Sequence, residues 1–187
     1  MSAFREYRPS IAAFLLMMAM SLTTTALSFF VGPVCEALNI GRGSFTIYYS
    51  IMTLTGAGAI PLLGQWINQK GVRGILTLSS FWIAGGLMGF SFSQNLWMFY
   101  LLAALMGLFG TSCMSLCANV IVQQSYSSTR ASSLLGLVMS GSGIGGMIWS
   151  NVVPGIIASF GWRFGYRMLG FCWLVLAVLA VLILGKQ

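Results

Sequence analysis

The side chains in this sequence that could do chemistry are hydroxyls and amides set at helical spacing inside apolar runs. Such groups offer hydrogen bonds to a passing solute. Ser21, Thr24, Thr25 and Ser28 recur at i, i+3, i+4 and i+7, which is one face of a helix. Thr111, Ser112, Ser115 and Asn119 share a second such face, and Tyr49, Ser50 and Thr53 cluster in a third run. Ser140, Ser142, Ser150 and Asn151 mark a fourth. For a single serine or threonine, bonding to a neighbouring helix or back to its own backbone is the simpler reading than a wet cavity. Asn119 and Asn151 are harder to explain that way, because a buried amide has no intrahelical escape as good as a hydroxyl's. Thr24, Ser28, Tyr49, Ser115, Asn119 and Asn151 are therefore the expected cavity residues.

Most other chemistry is excluded by what is absent. The chain has no histidine and no aspartate, and only Glu6 and Glu36 are acidic. A Ser-His-Asp triad, a histidine-ligated zinc site and a carboxylate cluster holding magnesium cannot be assembled. An intramembrane serine protease would lack its histidine, and a metal-dependent lipid transferase its aspartates. Cys113 and Cys117 lie one helical turn apart, but with no third ligand near they read as small apolar packing residues, while Cys35 falls just past the first apolar run, at the start of an expected outer loop over residues 35–43. No catalytic residue, metal site or cofactor is expected, and the chain is not read as an enzyme.

The elements that must hold the hydroxyl stripes follow from composition. Of 187 residues, 58% are hydrophobic and 6% charged, and mean hydropathy is +0.91. A soluble domain carries about 25% charged residues, so this is an integral membrane protein. The net charge of +7 comes from nine basic residues scattered between apolar runs, which is a topology signal and not a nucleic-acid patch. A helix needs about 20 apolar residues to cross a bilayer. Charge-free runs give six, at residues 11–34, 45–67, 74–92, 96–122, 131–160 and 168–185. Their length and continuity argue against a sheet barrel. The fold class expected is all-α, with residues 1–187 forming one six-helix membrane domain and residues 1–10 a cytoplasmic segment. With the N-terminus inside, Arg5, Arg8, Lys70, Arg73, Arg130 and Lys186 lie in the cytoplasm, and Arg42, Arg163 and Arg167 outside. The first run also has the outline of a signal peptide, but its apolar stretch is long for one.

The six runs read as two copies of a three-helix unit. Thr55-Gly56-Ala57-Gly58 and the following Gly71-Val72-Arg73 correspond to Ser140-Gly141-Ser142-Gly143 and the following Gly161-Trp162-Arg163. An odd number of spans per copy makes the repeat inverted, a design of many secondary transporters. It also explains Arg163, which becomes the repeat partner of Arg73. The fifth run carries a small-residue ridge, with Gly141 and Gly145 at the spacing that lets helix backbones approach closely, and Pro154 placed to loosen the helix. The first, second, fourth and fifth runs are striped with polar residues, the sixth is plain and the third nearly so. Two peripheral, lipid-facing helices are therefore expected.

Two segments carry a family resemblance. Gly64-Gln65-Trp66-Ile67-Asn68-Gln69-Lys70-Gly71-Val72-Arg73 resembles the cytoplasmic loop motif of the major facilitator superfamily. Gly64, Gly71 and Arg73 match it, while Asn68 stands where that family has aspartate, so the loop's gating ion pair is weakened or lost. The stretch from Arg130 through the glycine ridge, Pro154 and Phe160-Gly161-Trp162-Arg163 resembles the branch holding monocarboxylate transporters and oxalate/formate antiporters. The resemblance implies an N-terminal six-helix half of a twelve-helix transporter in a plasma or inner membrane. In such a half, helices one, two, four and five line the path, the division the stripes also suggest. It implies transport of a small organic solute, with a monocarboxylate or other organic anion the natural candidate, by alternating access against a second six-helix half. A half-size protein that pairs with its own copy and a non-transporting assembly partner are the rival readings. No charged residue lies deep in a run, so a cationic partner for an anion would lie elsewhere.

Overall fold

The computed structural model describes residues 2–185 and, within them, every side chain except those of residues 2–6, Asn68, Lys70, Thr111 and Ser112. The described residues are helical almost throughout and include no strand. That outcome follows from a backbone that must satisfy its own polar groups wherever lipid replaces water. The elements are α1 (Ser2–Thr24), a 3₁₀ turn (Ala26–Phe30), α2 (Val31–Leu38), α3 (Arg42–Phe92), α4 (Leu96–Met106), a widened π turn (Gly107–Thr111), α5 (Ser112–Ser125) and α6 (Ser128–Leu184).

Among the described residues, five stretches are long and apolar enough to cross a membrane: Tyr7–Leu38, Arg42–Ile67, Gly71–Phe92, Leu96–Ser125 and Ser128–Leu184. Two glycines interrupt the helical backbone. Gly71 (φ 76°, ψ 156°) divides α3, and Gly161 (φ 80°, ψ 164°) divides the 57-residue α6. These are the two glycines of the Gly-x-Arg pairs, and they share one backbone conformation. A side chain at such φ is strained even though a Cβ would meet nothing within 4 Å at either site.

Helix boundaries differ from the sequence reading. The first stretch continues to Leu38, so Cys35 is a buried helical residue and not the start of an outer loop. Asn39 ends it in the left-handed region (φ 54°, ψ 45°), which asparagine tolerates, and the amide of Ile40 closes on the Cys35 carbonyl at 3.0 Å. The third run is also less plain than expected, since Ser79, Ser80 and Ser91 are buried in it. Small side chains fit there, and the Ser80 hydroxyl donates to the Leu76 carbonyl at 2.6 Å.

Two features hold the bundle. The glycine ridge of α6 lies on α1. A Cβ on Gly141 would stand 2.8 Å from the Phe14 carbonyl oxygen, and one on Gly145 would meet Ser21 and stand 2.7 Å from the Met18 carbonyl oxygen. That approach lets the Trp149 indole N–H reach the same Met18 carbonyl at 3.4 Å. At one end of the bundle, buried rings from every stretch meet. Phe30 stacks on Tyr166 with centroids 4.0 Å apart, Phe90 stacks on Phe99 at 5.2 Å, and Phe45, Tyr48 and Trp162 complete the cluster. Each such ring pair contributes about 0.5–1.5 kcal/mol beyond its buried area.

Candidate functional site

Thr24, Tyr49 and Ser115, named from three separate stripes, line one open groove of about 320 Å³ with Met20, Thr23, Met52, Thr53, Ile60 and Leu116. The helices that position them are α1, the first half of α3, and α5. Close approach between the second and fourth stretches sets their spacing. Gly107, in the π turn, packs so tightly on Met52 and Thr55 that a Cβ there would collide with both. Two turns beyond Gly107 the chain presents Ser115 and Leu116 to the groove.

The three threonines of the groove are already tied to their own helices. Thr23 donates its hydroxyl hydrogen to the Met20 carbonyl at 2.9 Å, Thr24 to the same carbonyl at 3.3 Å, and Thr53 to the Tyr49 carbonyl at 2.8 Å. A hydroxyl has one hydrogen, so what each threonine still offers is an acceptor oxygen. Among the described residues, no lysine, arginine or glutamate lines the groove.

Ser28, Asn119 and Asn151 are not among the groove's lining residues. Ser28 is exposed and donates to the Thr25 carbonyl at 2.6 Å. The amides of Asn119 and Asn151 do find an intrahelical partner, contrary to the expectation. Nδ2 of Asn119 donates to the Ser115 carbonyl at 2.9 Å, and Nδ2 of Asn151 to the Met147 carbonyl at 2.8 Å. The asparagine side chain is just long enough to reach back one turn. Asn119 is half-buried and Asn151 exposed, on α5 and α6 respectively.

Of the loop motif, Gly64 is half-buried in the first half of α3, Gly71 forms the turn, and Arg73 is exposed as helix resumes; Asn68's side chain lies outside the described residues. Trp162 is buried in the ring cluster, and the Arg163 guanidinium lies 4.7 Å over its ring. Arg167 donates from Nε to the Ser91 hydroxyl at 2.9 Å. Arg130, in the first turn of α6, lines a second groove with Tyr7, Tyr126, Thr129 and Ser133. Pro154 is exposed, and α6 runs through it. The sequence reading missed Met20, Met52 and Ile60 as groove residues; their only signal was helical spacing from Thr24, Tyr49 and Thr53.

Comparison with known proteins agrees with this architecture. The sequence profile described as "Major Facilitator Superfamily" matches residues 10–187. The chain is 30% identical over 129 residues to multidrug resistance protein MdtG of Rahnella sp. (strain Y9602), covering 68% of this chain and 30% of that protein. It is 29% identical over 151 residues to monocarboxylate transporter 9 of Gallus gallus, covering 80% of this chain and 28% of that protein. A second MdtG, from Enterobacter lignolyticus (strain SCF1), is 28% identical over 153 residues, covering 81% of this chain and 35% of that protein. The chain thus spans about a third or less of the length of these curated relatives.

Proposed function

The chain belongs to the major facilitator superfamily, a family of membrane transporters, and from that premise we propose that it forms one wall of an alternating-access path for a small organic solute. It is a multi-pass integral membrane protein, and its relatives are transport proteins. The observation that carries the proposal is the groove in which Thr24, Tyr49 and Ser115 from three membrane-crossing stretches converge. A midspan, part-polar surface shared by several helices is where such transporters bind their cargo.

In this reading the path-lining unit has six spans. Gly161 makes the turn between the fifth and sixth, as Gly71 does between the second and third, and the shared φ near +80° supports two inverted three-helix units. Residues 1–187 form one domain with the N-terminus in the cytoplasm, as the distribution of basic residues favours. The opposite wall is a second six-helix bundle, from further chain or from a second copy. In support, the groove lined by Thr24, Tyr49 and Ser115 is open and not enclosed. The Asn68 loop motif and Pro154 would then contribute to gating. Asn119, Asn151 and Ser28 would join the path only where the opposite wall meets this one.

Reconstitution at limiting protein-to-lipid ratio tests the proposal, with flux and oligomer size measured on the same vesicles. Flux that rises with the square of copy number supports two copies forming the path. Saturable uptake by vesicles holding one copy each refutes the two-wall arrangement.

A further inference from the structure

Arg163 and Arg167 stand where two rules disfavour a cation. In the proposed orientation they lie on the side of the membrane that basic residues avoid. Arg163 also falls in the first turn after the Gly161 break, where the free N–H ends of a helix already carry positive charge. The partners the structure gives them are neutral. The Arg163 guanidinium lies 4.7 Å over the Trp162 ring, and that of Arg167 lies 5.1 Å over Phe92 and bonds the Ser91 hydroxyl through Nε at 2.9 Å. The chain has only two carboxylates, Glu6 and Glu36, and Glu36 shares the surroundings of Cys35 with Arg42. Both arginines are exposed, one helical turn apart, with Nη groups left to bond an anion. Exposed rings accompany them. Phe92 lies under Arg167, Phe160 and Phe164 pack on each other at 5.1 Å beside Arg163 in the chain, and Trp97 is 78% exposed with its ring against Tyr100. Rings in such number mark the headgroup layer of a bilayer, where the abundant anion is phosphate.

We infer that Arg163 and Arg167 together hold the phosphate of an anionic phospholipid headgroup. A guanidinium fork matches two phosphate oxygens, which a lysine's point charge does not. Two forks against one phosphate leave positive charge over, so a headgroup with a cation of its own, such as choline, fits less well than glycerol. The exposed rings offer a lipid's glycerol and upper chains an apolar surface that a soluble phosphate ester cannot use. The inference rests on the six-span reading, which puts the Gly161 turn at a membrane surface, and it holds whatever solute the chain carries.

Native mass spectrometry of the whole chain in a non-ionic detergent tests it, with phosphatidylglycerol and phosphatidylcholine of identical chains titrated separately. The wild-type chain is expected to hold phosphatidylglycerol the more tightly. An arginine beside an anionic lipid is worth about fivefold in affinity, so Arg163→Gln and Arg167→Gln should each weaken phosphatidylglycerol binding about fivefold and together about 25-fold. Arg42→Gln removes the same charge at the same end of the bundle, in the first turn of α3, and should weaken it far less than either. Equal affinity of the wild-type chain for the two lipids overturns the inference. A loss at Arg42→Gln as large as at Arg163→Gln also overturns it, since the attraction would then be diffuse surface charge. Binding of chain-free glycerophosphoglycerol as tight as that of the lipid replaces the lipid site with one for a soluble phosphate ester and overturns it too. If a glutamine variant does not fold, the wild-type preference among these three ligands decides the question alone. Each of these outcomes leaves the transport reading standing, since that is decided by flux.

Discussion

Replacing Gly145 by alanine, beside the same change at Gly143, isolates the contact that joins α6 to α1. Both glycines lie within α6 and two residues apart. A Cβ at Gly143 meets nothing within 4 Å, whereas one at Gly145 runs into Ser21 and stands 2.7 Å from the Met18 carbonyl oxygen. Ser21 can turn aside, although its hydroxyl would leave the Met18 carbonyl it now bonds at 2.6 Å. The carbonyl itself belongs to a rigid helix and can yield only if the helices part. Alanine in place of a helical glycine gains about 0.5–1 kcal/mol, and overpacking costs about 1–3 kcal/mol. Gly143→Ala is therefore expected to stabilise slightly and Gly145→Ala to destabilise. The helix-propensity gain cancels in the difference, leaving about 1–3 kcal/mol of pure overpacking between the two variants. Reversible unfolding in mixed detergent micelles reads that difference, where 1.4 kcal/mol is a tenfold change in the equilibrium. Parting the helices should also lengthen the Trp149 bond to Met18, which indole fluorescence reports. Equal stability changes at the two positions would refute the close-packing argument.

Gly71→Ala and Gly161→Ala should each lose about 1–3 kcal/mol of stability in the same assay, from backbone strain alone. Gly155→Ala, in regular helix with open space around it, should not, and a neutral result at Gly161 would discard the strained turn. For topology, an impermeant thiol reagent applied to intact cells should label Gly43→Cys and spare Ser127→Cys in a background without the native thiols; the reverse pattern inverts the proposed orientation. Ser91→Ala and Arg167→Ala should each lower stability modestly, with a coupling of about 0.5–1 kcal/mol in a double-mutant cycle, because Nε of Arg167 bonds the Ser91 hydroxyl at 2.9 Å. Additive losses would mean that this bond contributes nothing.

That the chain is built of apolar membrane-crossing helices is legible in the sequence, because hydropathy alone decides whether a segment can enter lipid; their number is less so, since six charge-free runs stand against five such stretches among the described residues. The Gly-x-Arg pairs are legible too, since only glycine sits comfortably at φ near +80° and both turns need it. Helix ends are less so: Asn39 stops the first stretch by adopting a left-handed conformation that its sequence permits without requiring. The choice of groove residues was half legible. Spacing finds a polar face but not what it faces, and the π turn at Gly107–Thr111 shifts the phase between Phe99 and Ser115, so a 3.6-residue count does not carry across it. The bond from the Asn119 amide back to Ser115 was not legible, because that reach is a matter of distance, which a sequence does not display. The ring cluster draws Phe30, Phe45, Phe90, Phe99 and Tyr166 from stretches far apart in the chain, and no local pattern announces it.

The self-bonded hydroxyls bear on motion as well. Ser21, Thr23, Thr53, Ser80, Ser140 and Ser150 each keep a hydrogen bond within their own helix, to a carbonyl three or four residues back. Such a bond travels with its helix. When one helix shears past another by an ångström or two, none of these bonds stretches, and the resistance comes from side chains riding over one another. A bundle threaded with interhelical hydroxyl bonds would have to break several at once and would move in jumps. In this one the α1–α6 glycine contact and the interlocked rings at one end are what such a shear must ride over, while the bonding inside each helix stays intact.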